Sequence, residues 1–160
     1  MIVVADTSPL NYLVLIGAVE VLKPLYERIV VPRAVAEELS GTKAPSVVQT
    51  WIARPPEWLE VKPDPPNDSK LWFLDPGERA ALLLVQLLGA DEILIDERDG
   101  REEAERRNLR VTGTLGVLAK AHRAGLLNFD EALLRLRGTS FRLSPEVERL
   151  VRQRLPRADC

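Results

Sequence analysis

Two aspartates fall where an apolar strand pattern ends. Asp6 closes Val3-Val4-Ala5, and Asp96 closes Leu94-Ile95. In an open parallel sheet, ligands bind outside the carboxyl ends of the strands, so two strands delivering an acid to that edge form a functional pattern. A competing reading makes Asp6 a helix cap, because Thr7-Ser8-Pro9 opens a helix. Two glutamates lie on the apolar faces of helical patterns. Glu38 shares a stripe with Ala34 and Val35, and Glu78 leads Ala81, Leu82 and Val85 at +3, +4 and +7. A carboxylate on such a face must sit at a rim, be paired, or bind a metal, because burying an isolated charge is expensive. For Glu78 a capping box with Asp75 competes, and the two roles can coexist. Four carboxylates at one edge would repel strongly without a cation, destabilising the fold and making Asp96→Asn stabilising. A hard cation such as Mg²⁺ or Mn²⁺ suits them, and it can activate water against a phosphodiester.

Rare residues narrow the chemistry further. The chain has one histidine, His122, and one cysteine, Cys160. Disulfides and cysteine-rich zinc sites are excluded, and a His-centred site would rest on His122 alone, which reads as structural or exposed. Residues 1–100 carry 9 Lys and Arg against 16 Asp and Glu, a balance of −7. Residues 101–160 carry 13 against 8, a balance of +5. This asymmetry fits a metal site beside a polyanion track, and equally fits solvated helix faces.

The elements that must position these residues alternate. Strand patterns cover Ile2–Ala5, Arg28–Val31, Leu59–Val61, Glu92–Asp96 and Arg110–Thr112. Helical patterns cover Pro9–Leu22 with a break near Gly17, Pro32–Leu39, Pro45–Ala53, Pro76–Leu88, Gly100–Asn108, Leu115–Ala124, Phe129–Arg137 and Pro145–Leu155. Alternation over 160 residues predicts one α/β domain with a parallel sheet covered on both sides. Between Arg54 and Pro76 the pattern fails, and six of the twelve prolines fall there. That stretch reads as a structural connection, with a flap over the site as the alternative. No apolar run approaches a membrane span and no signal peptide is evident, so a cytoplasmic protein is expected.

Five segments in order resemble the PIN-domain nucleases. They are Val3–Leu10, Val31–Leu39, Leu74–Ala80, Ile93–Arg101 and Val111–Leu118, the last being similar to the VapC-like toxin branch. The resemblance spans about residues 2–127 of a single domain over 1–160, leaving 128–160 as a helical C-terminal extension. It implies a three-layer Rossmann-like PIN fold and a Mg²⁺- or Mn²⁺-dependent ribonuclease, often the toxin of a toxin–antitoxin pair and often dimeric. Carried over by position, the family's acids fall on Asp6, Glu38, Glu78 and Asp96, with Glu97 or Asp99 as alternatives for the fourth contact. Ser8 matches the small hydroxyl residue beside the first acid, with helix capping as its other reading. Among basic groups, Arg98 and Arg101 follow the Asp96 strand and can reach phosphates. Arg106 and Arg107 are expected to pair with Glu102 and Glu103 at i,i+4.

Rival α/β enzymes fare worse. A haloacid-dehalogenase-like site wants a second aspartate where Ser8 stands, and a phospho-receiver wants a lysine after the strand that ends Arg110-Val111-Thr112-Gly113. From a different class, an inactive PIN-like module that binds RNA or protein remains the alternative.

Overall fold

The computed structural model describes residues 1–155; Cys160 lies outside the described residues. Five short strands form one all-parallel sheet: β1 (Val3–Ala5), β2 (Ile29–Pro32), β3 (Leu59–Lys62), β4 (Glu92–Leu94) and β5 (Arg110–Thr112). Their spatial order is β3-β2-β1-β4-β5. The chain therefore winds outward from β1 in one direction through β2 and β3, then crosses back to add β4 and β5 on the other side. The reversal falls between β1 and β4, where Ala5 is in register with Leu94. A crevice opens at the carboxyl ends of strands at such a switch point.

Side-chain alternation divides two cores. Val3, Ala5, Ile29, Val31 and Leu94 face one layer, whereas Val4, Val30, Ile93 and Ile95 face the other. The first layer is built by α1 (Thr7–Leu15), α2 (Leu22–Tyr26), α3 (Arg33–Ser40) and α4 (Ser46–Ala53). The second is built mainly by α5 (Pro76–Leu88) and α6 (Arg98–Arg106). Of the remaining helices, α7 (Thr114–Arg123) and α8 (Phe129–Arg137) return to the first layer, where Leu115, Leu118, Phe129 and Leu133 join its core. α9 (Pro145–Gln153) buries no residue fully, and Val147 and Val151 pack against that core from outside. No helix among the described residues is long and apolar enough to cross a membrane.

Several boundaries differ from the sequence reading. The first helix ends at Leu15; a 3₁₀ turn at Val19–Val21 then leads into α2, because Gly17 adopts a positive φ that stops the helix. The helix after β4 starts at Arg98 rather than Gly100 and ends at Arg106, and β4 itself ends at Leu94. The proline-rich stretch is a structural connection. It supplies the edge strand β3, buries Trp58, Leu71 and Leu74, and offers Asp64 Oδ1 to the Ala34 N–H at 2.9 Å. That last bond caps α3, whose N-cap is Pro32 and which has no cap of its own.

Candidate functional site

The carboxyl edge of the sheet gathers acids that lack counter-ions. Asp6 follows β1 directly and is 3% exposed, and its Oδ1 has no hydrogen-bond partner. It occupies the N-cap position of α1 but makes no side-chain cap bond, so the capping reading fails. Burial pushes its carboxyl well above the ordinary aspartate range; the Thr7 N–H opposes this, and Asp75, Glu78 and Glu38 push further in the same direction. Among the described residues, none of Asp6, Glu38, Glu78 and Asp96 takes part in a salt bridge.

The opposite edge shows how this fold treats a buried acid that it intends to neutralise. Glu92, at the start of β4, is 1% exposed and sits 3.2 Å from the Lys120 ammonium, with the Tyr26 hydroxyl donating to it at 3.1 Å. Asp6 is as deeply placed and receives no such partner. A buried charge left in this condition is costly unless something arrives to pair it.

Glu38 reaches the edge from α3. The residue as a whole is exposed, yet desolvation of its carboxyl raises its pKa. The Thr7 hydroxyl, which donates to Oε2 at 2.8 Å, and the Gly77 N–H pull it back, and Asp75 pushes it up. Its carboxylate lies so close to Gly77 that a Cβ there would overlap Oε1. Glycine at the first turn of α5 is thus what lets α3 and α5 bring their acids together.

Glu78 carries both roles that the sequence left open. Asp75 Oδ1 accepts its backbone N–H at 2.8 Å, so Asp75 is the N-cap of α5 with Glu78 at N3. Its side chain is nevertheless turned inward and 5% exposed. Burial, then the Asp75 carboxylate and a hydrogen bond shared with it, then Glu97, push its pKa up to about 8. Asp75, read from sequence only as a cap, is therefore an electrostatic member of the cluster.

Asp96 is held differently. Its Oδ1 accepts the Thr114 N–H at 2.7 Å, and its Oδ2 accepts the Thr114 hydroxyl at 2.7 Å and the Ser8 hydroxyl at 2.8 Å. Burial raises its pKa, and these donors together with the Arg101 guanidinium lower it. Ser8 thus spends its hydroxyl on Asp96 and not on a helix cap. A Cβ on Gly113 would stand 3.0 Å from Asp96 Oδ1, so that glycine also makes room for an acid. Of the alternatives for the fourth contact, Glu97 and Asp99 are exposed at the start of α6, and Glu97 acts on the Glu78 carboxyl, whereas Asp96 is held by Ser8 and Thr114.

The basic residues divide. Arg101 is half-buried beside Asp96. Arg98 is exposed and paired with Glu102 at 3.0 Å. Arg106 binds Glu103 at i,i+3 and not Glu102, which pairs with Arg98; Arg107 binds Glu103 at i,i+4 as expected. His122 accepts the Phe129 N–H on Nδ1 at 3.0 Å, which ties α7 to α8 far from the acids in role.

Sequence reasoning missed Thr7, Thr114, Gly77 and Asp64. Thr7 and Thr114 each stand two residues after a strand end, past Asp6 and past Gly113, a signal present in the sequence; Asp64 offered none. A cleft of about 560 Å³ begins at Thr7 and Glu38 and runs between α1 and the α3–α4 turn, past Asn11 and Lys43 to Ser140.

The donor set suits a hard divalent cation: oxygen ligands only, one buried oxygen unpartnered, and pKa values raised by burial first and by neighbouring carboxylates second. Among the described residues no three such side chains stand close enough together to hold a metal ion.

A family model described as a PIN domain matches residues 2–157, nearly the whole chain. No curated protein matches the chain.

Proposed function

The chain belongs to the PIN-domain family, whose members are generally nucleases, and on that premise we propose that it is a Mg²⁺- or Mn²⁺-dependent endoribonuclease. The observation that carries this reading is Asp6, a carboxylate buried at the switch point with one oxygen unpartnered, among acids that have no cation. Asp6, Glu38, Glu78 and Asp96 would hold the ion. When bound, it would neutralise charge on the phosphodiester and activate water for in-line attack.

The chain's own residues supply the rest. Thr7 orients Glu38, while Thr114 and Ser8 fix Asp96. Without the ion the Glu78 carboxyl is pushed up to about 8, so taking the ion would release its proton. Arg101 stands beside Asp96, where it can meet a phosphate, and Arg98 can join it by leaving its exposed partner Glu102.

We further propose that the protein is the toxin of a toxin–antitoxin pair and acts as a homodimer. Exposed apolar residues such as Leu134 (71%) and Leu150 (55%) offer surface for a second copy. The solvent-reachable acids Glu38 and Asp75 offer an inhibitory antitoxin a place to insert an arginine, which would pair bidentately where the cation belongs. The competing reading, an inactive PIN-like binding module, draws on the acids not being preassembled.

The test is purified protein with mixed structured RNAs in Mg²⁺, Mn²⁺ or EDTA. Cleavage that requires the cation and is largely lost in Asp6→Asn supports the nuclease reading. Cleavage undiminished in EDTA, or none under any condition, refutes it.

A further inference from the structure

The connection leading into α5 exposes two aromatic rings shortly before Asp75, the N-cap of α5. Leu71 and Leu74 are 1% and 3% exposed and fasten the segment to the second core, with the Leu74 N–H bonded to the Leu71 carbonyl at 3.1 Å. That spacing forces the two residues between them outward. Trp72 is 78% exposed and Phe73 is 38% exposed, and their rings meet edge to face with centroids 6.1 Å apart. Among the described residues the other exposed large hydrophobics are all aliphatic. A tryptophan left in water on a fastened turn, when Trp58 in the same stretch is buried, calls for an occupant.

We propose that Trp72, supported by Phe73, is a stacking platform for an unpaired base of the nucleic-acid substrate, one or two nucleotides from the scissile phosphate. This rests on the nuclease reading above and deepens it by specifying single-stranded RNA held by base stacking.

Three observations carry it. Trp72 precedes Asp75 by three residues, which places their Cα atoms within about 11 Å, and Asp75 acts electrostatically on Asp6, Glu38 and Glu78. The platform belongs to the layer of α5, whereas the cleft past Asn11 and Lys43 belongs to the layer of α1, so a strand crossing the acids meets one on each side. The surroundings also suit a nucleic acid better than a protein. Lys70, two residues before Trp72, is exposed and has no salt-bridge partner among the described residues, and Leu71 and Leu74 are consumed by the core. Two rings and a lysine two residues before them give a base one face to stack on and a phosphate one charge within reach of the same turn, but they lack the broad apolar area of a protein interface. A duplex already stacks its bases internally, so only an unpaired base can use the ring.

The experiment uses a ten-nucleotide oligouridylate as probe and the Asp6→Asn background in Mg²⁺, so that the probe stays intact. Binding and tryptophan emission are read for Trp72, Trp72→Ala and Trp72→Phe, with an RNA hairpin lacking unpaired bases outside its loop for comparison. The expected results are saturable quenching that vanishes in Trp72→Ala, about fivefold to a hundredfold weaker binding in that variant, substantial rescue by Trp72→Phe, and weaker binding of the hairpin. Trp72 is exposed, so the variants should fold, and circular dichroism checks this. Binding by Trp72→Ala within twofold of its parent overturns the proposal. So does a Trp72→Ala change in molecular mass by light scattering, which would assign the ring to a second copy. Should the wild type cleave no RNA, the nuclease reading fails while this binding comparison still decides the platform; cleavage with unchanged KM in Trp72→Ala rejects the platform alone.

Discussion

The Glu38 carboxylate rests against the Gly77 backbone in the space that any side chain at position 77 would fill. Because Gly77 lies in the first turn of α5, one glycine sets how closely the acid of α3 approaches Glu78. Gly77→Ala should therefore push Glu38 outward and cut cleavage sharply. The stability change should stay within about 1 kcal/mol, because the crowded atom is the free end of a flexible side chain and alanine favours a helix over glycine by about 0.5–1 kcal/mol. Steady-state kinetics alongside a thermal melt checks this, and a Gly77→Ala protein with full activity would mean that the contact has no bearing on the site.

Stability without cation should fall as pH rises. The folded-state pKa of Glu78 is raised from 4.5 to about 8, and those of Asp6, Glu38 and Asp96 are also raised. A group raised in the folded state favours folding fully below its unfolded pKa and loses that contribution as pH climbs through the folded value. The window is therefore about pH 4.5 to 8. Melting temperatures in EDTA should decline from pH 5 to pH 8, and Glu78→Gln should flatten the decline. A wild-type profile that is flat or rising over that range would contradict the burial of Glu78.

Thr114 donates twice to Asp96, at 2.7 Å from both its N–H and its hydroxyl. Thr114→Val keeps the shape and the N–H but removes the hydroxyl donor. A lost hydrogen bond to a charged group costs about 1–3 kcal/mol, and at this chain length that lowers the melting temperature by about 2–4 °C per kcal/mol. Calorimetry reads it directly; an unchanged melting temperature would show that Ser8 alone suffices. Asp96→Asn can keep all three contacts, with Oδ1 on the Thr114 N–H and the amide NH₂ donating to the Ser8 and Thr114 hydroxyls, so relief of repulsion should raise its melting temperature in EDTA.

Asp64 caps α3 from the proline-rich connection. Asp64→Ala should destabilise the protein by about 1 kcal/mol, typical of a lost N-cap, and should weaken cleavage because α3 carries Glu38. Urea denaturation with a parallel activity assay tests both effects. Loss of neither would leave the connection as a passive link.

The sequence made legible whatever depends on local periodicity. Runs such as Val3–Ala5 and Ile93–Ile95 announced buried strands, so Asp6 and Asp96 could be assigned to one edge before any geometry was known. The helical stripe of Glu78–Val85 turned Glu78 inward on the same logic, whereas the stripe of Ala34–Leu39 brought Glu38 only to an exposed rim. What stayed hidden depends on contacts between distant segments. Asp64 reaches Ala34 across 30 positions, and Thr114 reaches Asp96 across 18. Neither leaves a periodic trace. Ser8 illustrates the boundary: a serine at a helix start is locally a cap, and only the approach of Asp96 from 88 positions away decides otherwise.

The central claim is that the acids at this edge await a divalent cation, and thermal melts of wild type and Asp6→Asn at pH 7.5, each in EDTA and in millimolar Mg²⁺ or Mn²⁺, test it most directly. Asp6 is buried with an oxygen unpartnered, so Asp6→Asn should melt above wild type in EDTA. The cation should raise the wild type by about 5–10 °C when present at about a hundredfold its Kd, and the variant by much less. A wild type indifferent to the cation, together with an Asp6→Asn protein that melts lower in EDTA, would show that the acids are structural and that the edge is not a metal-dependent active site.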